Sequence, residues 1–333
     1  MKAVYAESYG PPEELRVIDR PIPTITDRQV LVRVHAAALH VGDCFTVRGR
    51  PFVVRMETGW RRPRVGIPGY DFSGVVESVG ANVDDFHPGD EVFGYQSGSC
   101  AEYVAADVNK IDAKPPNVSH VEAASVVTSG LTAFHALRDI AKVGPGHSVL
   151  INGASGGIGT FAVQIAKTME AEVTGVCSGK HVSMVRSLGA DHVIDYQRED
   201  FTYSSKRYDC VLDNVENRDL SEVRSILKPN ATLICNSGTG AVGLAFWIRL
   251  LRPLMVSPFV TQRLCRFVST PNQADLRQLM QKVVEQKVRP VIAAEHSMDE
   301  VPDALRMLEQ GHTAGKRVVV MPGASSVSVA PSS

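Results

Sequence analysis

Residues 148–169 constrain the chain most. Ser148-Val149-Leu150-Ile151-Asn152 is a short run of strand formers, and Gly153-Ala154-Ser155-Gly156-Gly157-Ile158-Gly159 follows it. The apolar positions Ile158, Phe161, Ala162, Ile165, Ala166 and Met169 then recur at spacings of three and four. A buried strand runs into a glycine turn, and a helix with one apolar face follows. Glycines let the backbone approach a pyrophosphate closely, and the helix start offers it free N–H groups and the positive end of the dipole. Gly159 permits tight helix-on-strand packing, while Ala154 stands where the usual G-x-G-x-x-G pattern has its first glycine. Crowded glycines weaken a helix unless something uses the space. Ser155, Gly156, Gly157, Ile158 and Gly159 therefore read as a phosphate cradle for a dinucleotide, against the alternative of a tight turn with no ligand.

The flanking sequence agrees with that reading. Strand-like runs at 148–152, 172–177, 192–196, 209–215 and 231–237 alternate with segments expected to be helical. Such alternation predicts a doubly wound parallel sheet with helices on both faces, the Rossmann arrangement. The first 120 residues or so are different. Short strands at 30–34, 74–79 and 102–104 are separated by Gly and Pro, which predicts a small barrel-like β domain. Ser119 with Glu122 reads as a capping box that opens a helix at the junction. Helices near 273–286 and 299–309 and a strand at 316–321 close the chain, and a Ser-, Ala- and Pro-rich tail from 323 is expected to be disordered.

Bulk properties narrow the class. A formal net charge of -1 gives no general attraction to nucleic acid. Six cysteines are scattered with no C-x-x-C pair, which suggests reduced, mostly buried thiols. No basic-then-apolar leader opens the sequence, and arginines at 249, 252, 263 and 266 interrupt its most apolar stretch. A cytoplasmic protein, homodimeric or monomeric, is the expectation.

Cofactor choice is read at the end of the second strand of the alternating half. NAD sites usually place Asp or Glu there for the ribose hydroxyls. This chain has Cys177-Ser178-Gly179-Lys180-His181, with no carboxylate. Ser178 can donate a hydrogen bond and Lys180 can meet a 2'-phosphate, which favours NADP(H). Asn214 and Ser237 fall at the carboxyl ends of later strands, where ligands bind in such sheets. Lys316, opening the last strand, joins the cofactor-binding set.

The stretches 153–167 and 187–196 resemble the medium-chain dehydrogenase/reductase superfamily. Gly69-Tyr70-Asp71-Phe72-Ser73-Gly74, Pro88-Gly89-Asp90-Glu91-Val92 and Gly130-Leu131-Thr132-Ala133 carry the same resemblance independently and in the family's order. It implies a GroES-like β-barrel domain (1–122 with 288–322) and a Rossmann domain (123–287), with 323–333 as the tail. It also implies that Tyr196 lies near the adenosine phosphate and that Thr128 and Thr132 approach the nicotinamide. The zinc-dependent branch carries a Cys before an Asp, then Gly-His-Glu. Here those places read His40-Val41-Gly42-Asp43 and Gly69-Tyr70-Asp71, and the four-cysteine structural loop is missing. The expectation is a zinc-free enzyme similar to quinone oxidoreductases and enoyl-type reductases.

Without a metal, quinones and α,β-unsaturated carbonyls are the suitable substrates, because the incoming electron pair delocalises onto oxygen. An alcohol needs a base or Lewis acid to lose its proton. Donors near the substrate oxygen would stabilise the developing charge. His40, Tyr70 and Tyr95 are the candidates, and Asp43 is expected to orient the loop by hydrogen bonding. Rival functions are an alcohol or aldehyde dehydrogenase of the same superfamily, and an NADPH-binding scaffold with little turnover. The apolar, arginine-studded stretch within 244–268 admits four readings: substrate lid, subunit interface, peripheral membrane contact, or a segment packed on the Rossmann domain.

Overall fold

The computed structural model describes residues 1–236, 251–253, 255–311 and 313–323. The chain opens with an antiparallel ribbon, β1 (Lys2–Tyr5) and β2 (Arg16–Asp19). β3 (Gln29–Leu39) is the central strand of the first sheet. After it come the short helices α1 (Val41–Arg48) and α2 (Val54–Thr58). The strands β4 (Asp71–Val79), β5 (Glu91–Tyr95), β6 (Tyr103–Asp107) and β7 (Ile111–Ala113) complete the first half. One edge of β3 pairs with β4, and its other edge takes β6 at the N-terminal end.

α3 (His120–His135) joins the halves. Its capping box is formed as the sequence predicts: the Glu122 N–H donates to Ser119 Oγ, and the Ser119 N–H donates to Glu122. The helix is apolar nearly all round, as a helix covered on every side must be. Ala36 and Ala38 of β3 pack with Ala124, while Ala37 and Leu39 face the β-domain core. That is the two-residue period of a strand with both faces buried, and small alanines let the helix approach closely. Further along, Val126, Val127 and Leu131 join the core that contains Val149, Ile151 and Phe161.

The second half is a six-stranded parallel sheet. It contains β8 (Ser148–Asn152), β9 (Glu172–Cys177), β10 (His192–Asp195), β11 (Tyr208–Asp213), β12 (Leu227–Cys235) and β13 (Arg263–Cys265), in the order β10-β9-β8-β11-β12-β13. The order reverses at β8, so a crevice opens beyond the carboxyl ends of β8 and β11. Among the described residues this half includes the helices α4 (Gly157–Thr168), α5 (Val182–Ser187), α6 (Leu220–Ser225) and α7 (Gln273–Val284). β14 (Ile292–His296), α8 (Val301–Gln310) and β15 (Lys316–Val320) then carry the chain back, and β15 pairs antiparallel with β3.

Three local expectations change. No helix fills the gap between β10 and β11; a single 3-10 turn at Phe201–Tyr203 does, because Phe201 is the one large apolar side chain buried in that polar stretch. β12 begins at Leu227 and not at 231, with Asn230 at φ 63 and a register shift against β11. β10 ends at Asp195, which leaves Tyr196 just beyond the strand. The tail from 324 and residues 244–250 and 254 of the arginine-studded stretch lie outside the described residues.

Candidate cofactor and substrate cleft

Gly153 leaves β8 at φ 77, a conformation only glycine adopts without strain. The Gly153 and Ala154 N–H groups both donate to the Val176 carbonyl, which ties the turn to β9. α4 starts after Gly156 with no side-chain cap and no acidic residue in its first turn. Its leading N–H groups stay available to an anion. A Cβ on Gly159 would lie 2.1 Å from the Gly153 carbonyl oxygen, so this helix cannot sit against its strand with any larger residue. These features fit a dinucleotide pyrophosphate.

The other wall of the turn comes from the end of the chain. Gly156 bridges to Gly315, and the Gly315 N–H donates to the Ser155 carbonyl at 2.8 Å. The next residue, Lys316, is only 2% exposed and runs beside Gly157. Lys316 Nζ donates to Ser129 Oγ at 3.0 Å and lies 3.9 Å from Asp71 Oδ2. Asp71 also accepts from the Thr128 N–H at 3.1 Å and from the Thr128 hydroxyl. Burial pushes the Asp71 carboxyl up and the Lys316 ammonium down, and each opposes the shift of the other. β4, α3 and β15 are thereby joined by one buried polar network beside the glycine turn. Thr132 lies one turn further along α3 and is nearly buried.

At the adenosine end, Ser178 is buried and Lys180 is exposed with no partner among the described residues. One neighbour was not legible from the loop. Asp195 comes in from β10, and a Cβ built on Gly179 would lie 2.7 Å from its Oδ2. A carboxylate missing from 177–181 is thus supplied through space. The Tyr196 N–H donates to the Cys177 carbonyl, which holds Tyr196 at the same corner.

Asn214 sits beyond β11, where its Nδ2 donates to the Asn152 carbonyl at 3.2 Å and its Oδ1 accepts from Asn236 at 2.8 Å. Asn152 in turn donates to Asp213 at 2.8 Å. The carboxyl ends of β8, β11 and β12 are thus laced together below the crevice. Ser237 lies outside the described residues.

Three aromatic side chains line up in the β domain. The His40 and Tyr70 rings are 6.4 Å apart and edge-on, and the Tyr70 and Tyr95 rings are 5.6 Å apart. Asp43 organises the row: one carboxylate oxygen accepts from the His40 N–H at 2.8 Å and the other from the Gly69 N–H at 3.1 Å. This is the orienting role expected of it. His40 Nε2 is buried with no hydrogen-bond partner among the described residues. Burial, with the nearby Tyr95, Asp71 and Glu57, raises the Tyr70 phenol to about 12. Tyr95 differs from the expectation that all three are free donors, because its hydroxyl donates to the Pro271 carbonyl at 2.8 Å.

The buried Cys44 thiol donates to the Leu305 carbonyl, and burial pushes it far up, away from the thiolate that zinc requires. Asp43 and Asp71 are held by the donors named above. Among the described residues no group of three or more His, Cys, Asp or Glu converges as a metal site. A surface concavity of ≈ 350 Å³ bordered by Gln164, Lys167 and Thr168 lies at the opposite end of α4 and is no part of this cleft.

Comparison with known proteins agrees with this architecture. Residues 26–188 match the family described as alcohol dehydrogenase GroES-like domain, and residues 188–319 match that described as zinc-binding dehydrogenase. The chain is 32% identical over 366 residues to the human NAD(P)H oxidoreductase RTN4IP1, mitochondrial, covering 96% of this chain and 89% of that protein. It is 31% identical to the chloroplast envelope quinone oxidoreductase homolog of Arabidopsis thaliana, covering 96% and 98% of the two chains. The structure of the quinone oxidoreductase from Coxiella burnetii superposes with a TM-score of 0.84 at 32% identity, over 96% of this chain and 99% of that one. The chain belongs to the medium-chain dehydrogenase/reductase superfamily, in its quinone oxidoreductase-like branch. It is an oxidoreductase of a family that uses a nicotinamide cofactor.

Proposed function

We propose that this protein is a metal-free, NADPH-dependent reductase of quinones or α,β-unsaturated carbonyls. The observation that carries the reading is His40 Nε2, buried without a hydrogen-bond partner among the described residues, beside the neutral Tyr70 phenol where the zinc-dependent branch has ligands. A buried polar atom without a partner costs free energy and calls for an explanation, and a substrate oxygen is the partner proposed here. The nicotinamide, when bound, supplies the hydride. The Tyr70 O–H and His40 donate hydrogen bonds to the oxygen that gains charge, and Tyr95, committed to Pro271, serves as a wall. Ser155, Gly156, Gly157, Ile158 and Gly159 hold the pyrophosphate, with Lys316 adding positive charge nearby. Thr128 and Thr132 border the nicotinamide, Asn214 supports the crevice floor, and Ser178, Lys180 and Tyr196 hold the 2'-phosphate.

Relatives named as quinone oxidoreductases and as a 2-methylene-furan-3-one reductase support both substrate classes. Asp195 beside Gly179 favours a second reading of the cofactor, NADH, because a carboxylate there suits ribose hydroxyls. Oxidation of NADPH and of NADH against panels of quinones and of conjugated aldehydes and ketones separates these, with metal content measured on the same preparation. Turnover with NADPH on at least one panel, without stoichiometric zinc, is expected. Tyr70→Phe should lower kcat/KM on the order of a hundredfold. NADPH bound tightly with no turnover on either panel sinks the enzyme reading, and stoichiometric zinc sinks the metal-free one.

A further inference from the structure

Between His40 and Tyr70 the chain makes an excursion that the cleft itself does not use. Residues 49–66 hold five arginines and one glutamate, in a chain whose formal net charge is -1. Arg50, Arg61, Arg62 and Arg64 are exposed, and none of their side chains has an ion pair or hydrogen bond among the described residues. Interleaved with them are large apolar side chains facing water: Phe52 at 53%, Met56 at 68% and Trp60 at 62% exposure. The Phe52 and Trp60 rings meet edge-on at 4.7 Å.

The excursion is anchored from beneath. The Tyr9 hydroxyl donates to the Gly59 carbonyl at 2.5 Å. Arg55 points inward, donates to the Gly49 carbonyl at 3.0 Å, and lies over the Tyr9 ring at 4.5 Å. The outer face is thus a presented surface and not loose chain. Single exposed apolar residues need no explanation, but a contiguous set ringed by unpaired cations does.

We infer that this face is an interfacial docking surface for an anionic lipid bilayer, with Trp60, Phe52 and Met56 entering the headgroup region and the four exposed arginines pairing with lipid phosphates. Charge complementarity favours that occupant. Each arginine close to an anionic leaflet adds attraction, aromatic rings prefer the interface, and apolar side chains gain by leaving water. The exposed apolar residues of the 251–268 region make a weaker candidate. Its arginines are spent within the molecule: Arg252 lies near Asp219, Arg263 donates to the Ile140 carbonyl, and Arg266 pairs with Glu216. No described helix is long and apolar enough to cross a membrane, so attachment would be peripheral.

The test does not depend on the reductase reading, because it records binding without turnover. The full chain, carrying Trp247→Phe so that Trp60 is its one tryptophan, is mixed with vesicles of phosphatidylcholine alone or of equal parts phosphatidylcholine and phosphatidylglycerol. The expected result is sedimentation with the anionic vesicles and a blue shift of Trp60 emission, both suppressed by high salt. Arg61→Glu with Arg62→Glu should weaken binding about tenfold or more, and Trp60→Ser with Met56→Ser should also weaken it, with circular dichroism and the melting temperature as the check on folding. Three outcomes overturn the proposal: no sedimentation with anionic vesicles, sedimentation that the charge-reversal variant leaves unchanged, and a dimer in solution that the same variant dissociates. The last would assign the face to a second copy of the chain.

Discussion

Lys180 and Lys316 are both cations near the proposed cofactor, yet their surroundings ask different things of them. Lys180 is exposed and has no partner among the described residues, so its contribution is felt by what binds. Lys180→Glu should raise the Kd for NADPH on the order of tenfold or more and leave that for NADH nearly unchanged; equal losses, read by fluorescence titration, would remove its phosphate role. Lys316 is buried against Asp71 and Ser129. Lys316→Met leaves the Asp71 carboxylate buried without its cation and should cost about 3–5 kcal/mol in denaturant unfolding. Adding Asp71→Leu removes the stranded charge, so the double variant should be more stable than the Lys316→Met single. The pair could not be seen in advance because its members lie far apart in the chain. Gly69-Tyr70-Asp71 was visible as a motif, but Ser129 and Lys316 meet it only through α3 and β15.

α3 shows the same division within one element. Its start was legible, because a capping box is a local agreement between Ser119 and Glu122. Its burial on all sides was not, since that depends on which strands cover it. His120, in its first turn, illustrates the consequence. Burial lowers the imidazole to about 4, with the nearby His35 and Lys114 acting in the same direction and Glu91 opposing. Ser73 Oγ lies 2.8 Å from its Nδ1 and Glu91 3.2 Å from its Nε2. His35, next to Arg33, is lowered too, chiefly by burial. A base with a folded pKa below its unfolded value stabilises the fold fully above the unfolded value, and the contribution is lost as pH falls toward the folded one. Glu91 is held low by Lys114 and His120 although burial works against it, so its contribution also falls with acid, at still lower pH. Melting temperature should therefore drop between about pH 6.5 and 4, and His120→Asn should flatten that drop. An unchanged slope would mean that other groups govern it.

At the scale of the molecule, the two sheets share α3 and meet again where Gly315 donates to Ser155. Calorimetry of the full chain should therefore show one transition and not two. NADPH at about a hundred times its Kd should stabilise that transition by about 2.7 kcal/mol. Two transitions, with only one moved by NADPH, would show that the halves unfold independently.

The sequence by itself determined what is written in short range. The glycine turn and the capping box each depend on a few neighbouring residues and appear where expected; α4 forms where its spacing predicts, but the sheet and its neighbours bury residues 159–166 on every side, and the strand–helix alternation lapses between β10 and β11. Five of the six cysteines are buried and the sixth is partly so, and all are free, as their scatter through apolar runs implied. Tertiary structure alone decided what depends on distant pieces meeting. It brought Asp195 to Gly179, gave the Tyr95 hydroxyl to Pro271, left His40 Nε2 without a partner among the described residues, and placed Lys316 beside the glycine turn. The physical reason is one of range: backbone conformation and periodicity are settled among neighbours, whereas the charge, burial and hydrogen bonding of a side chain are set by whatever the fold brings against it.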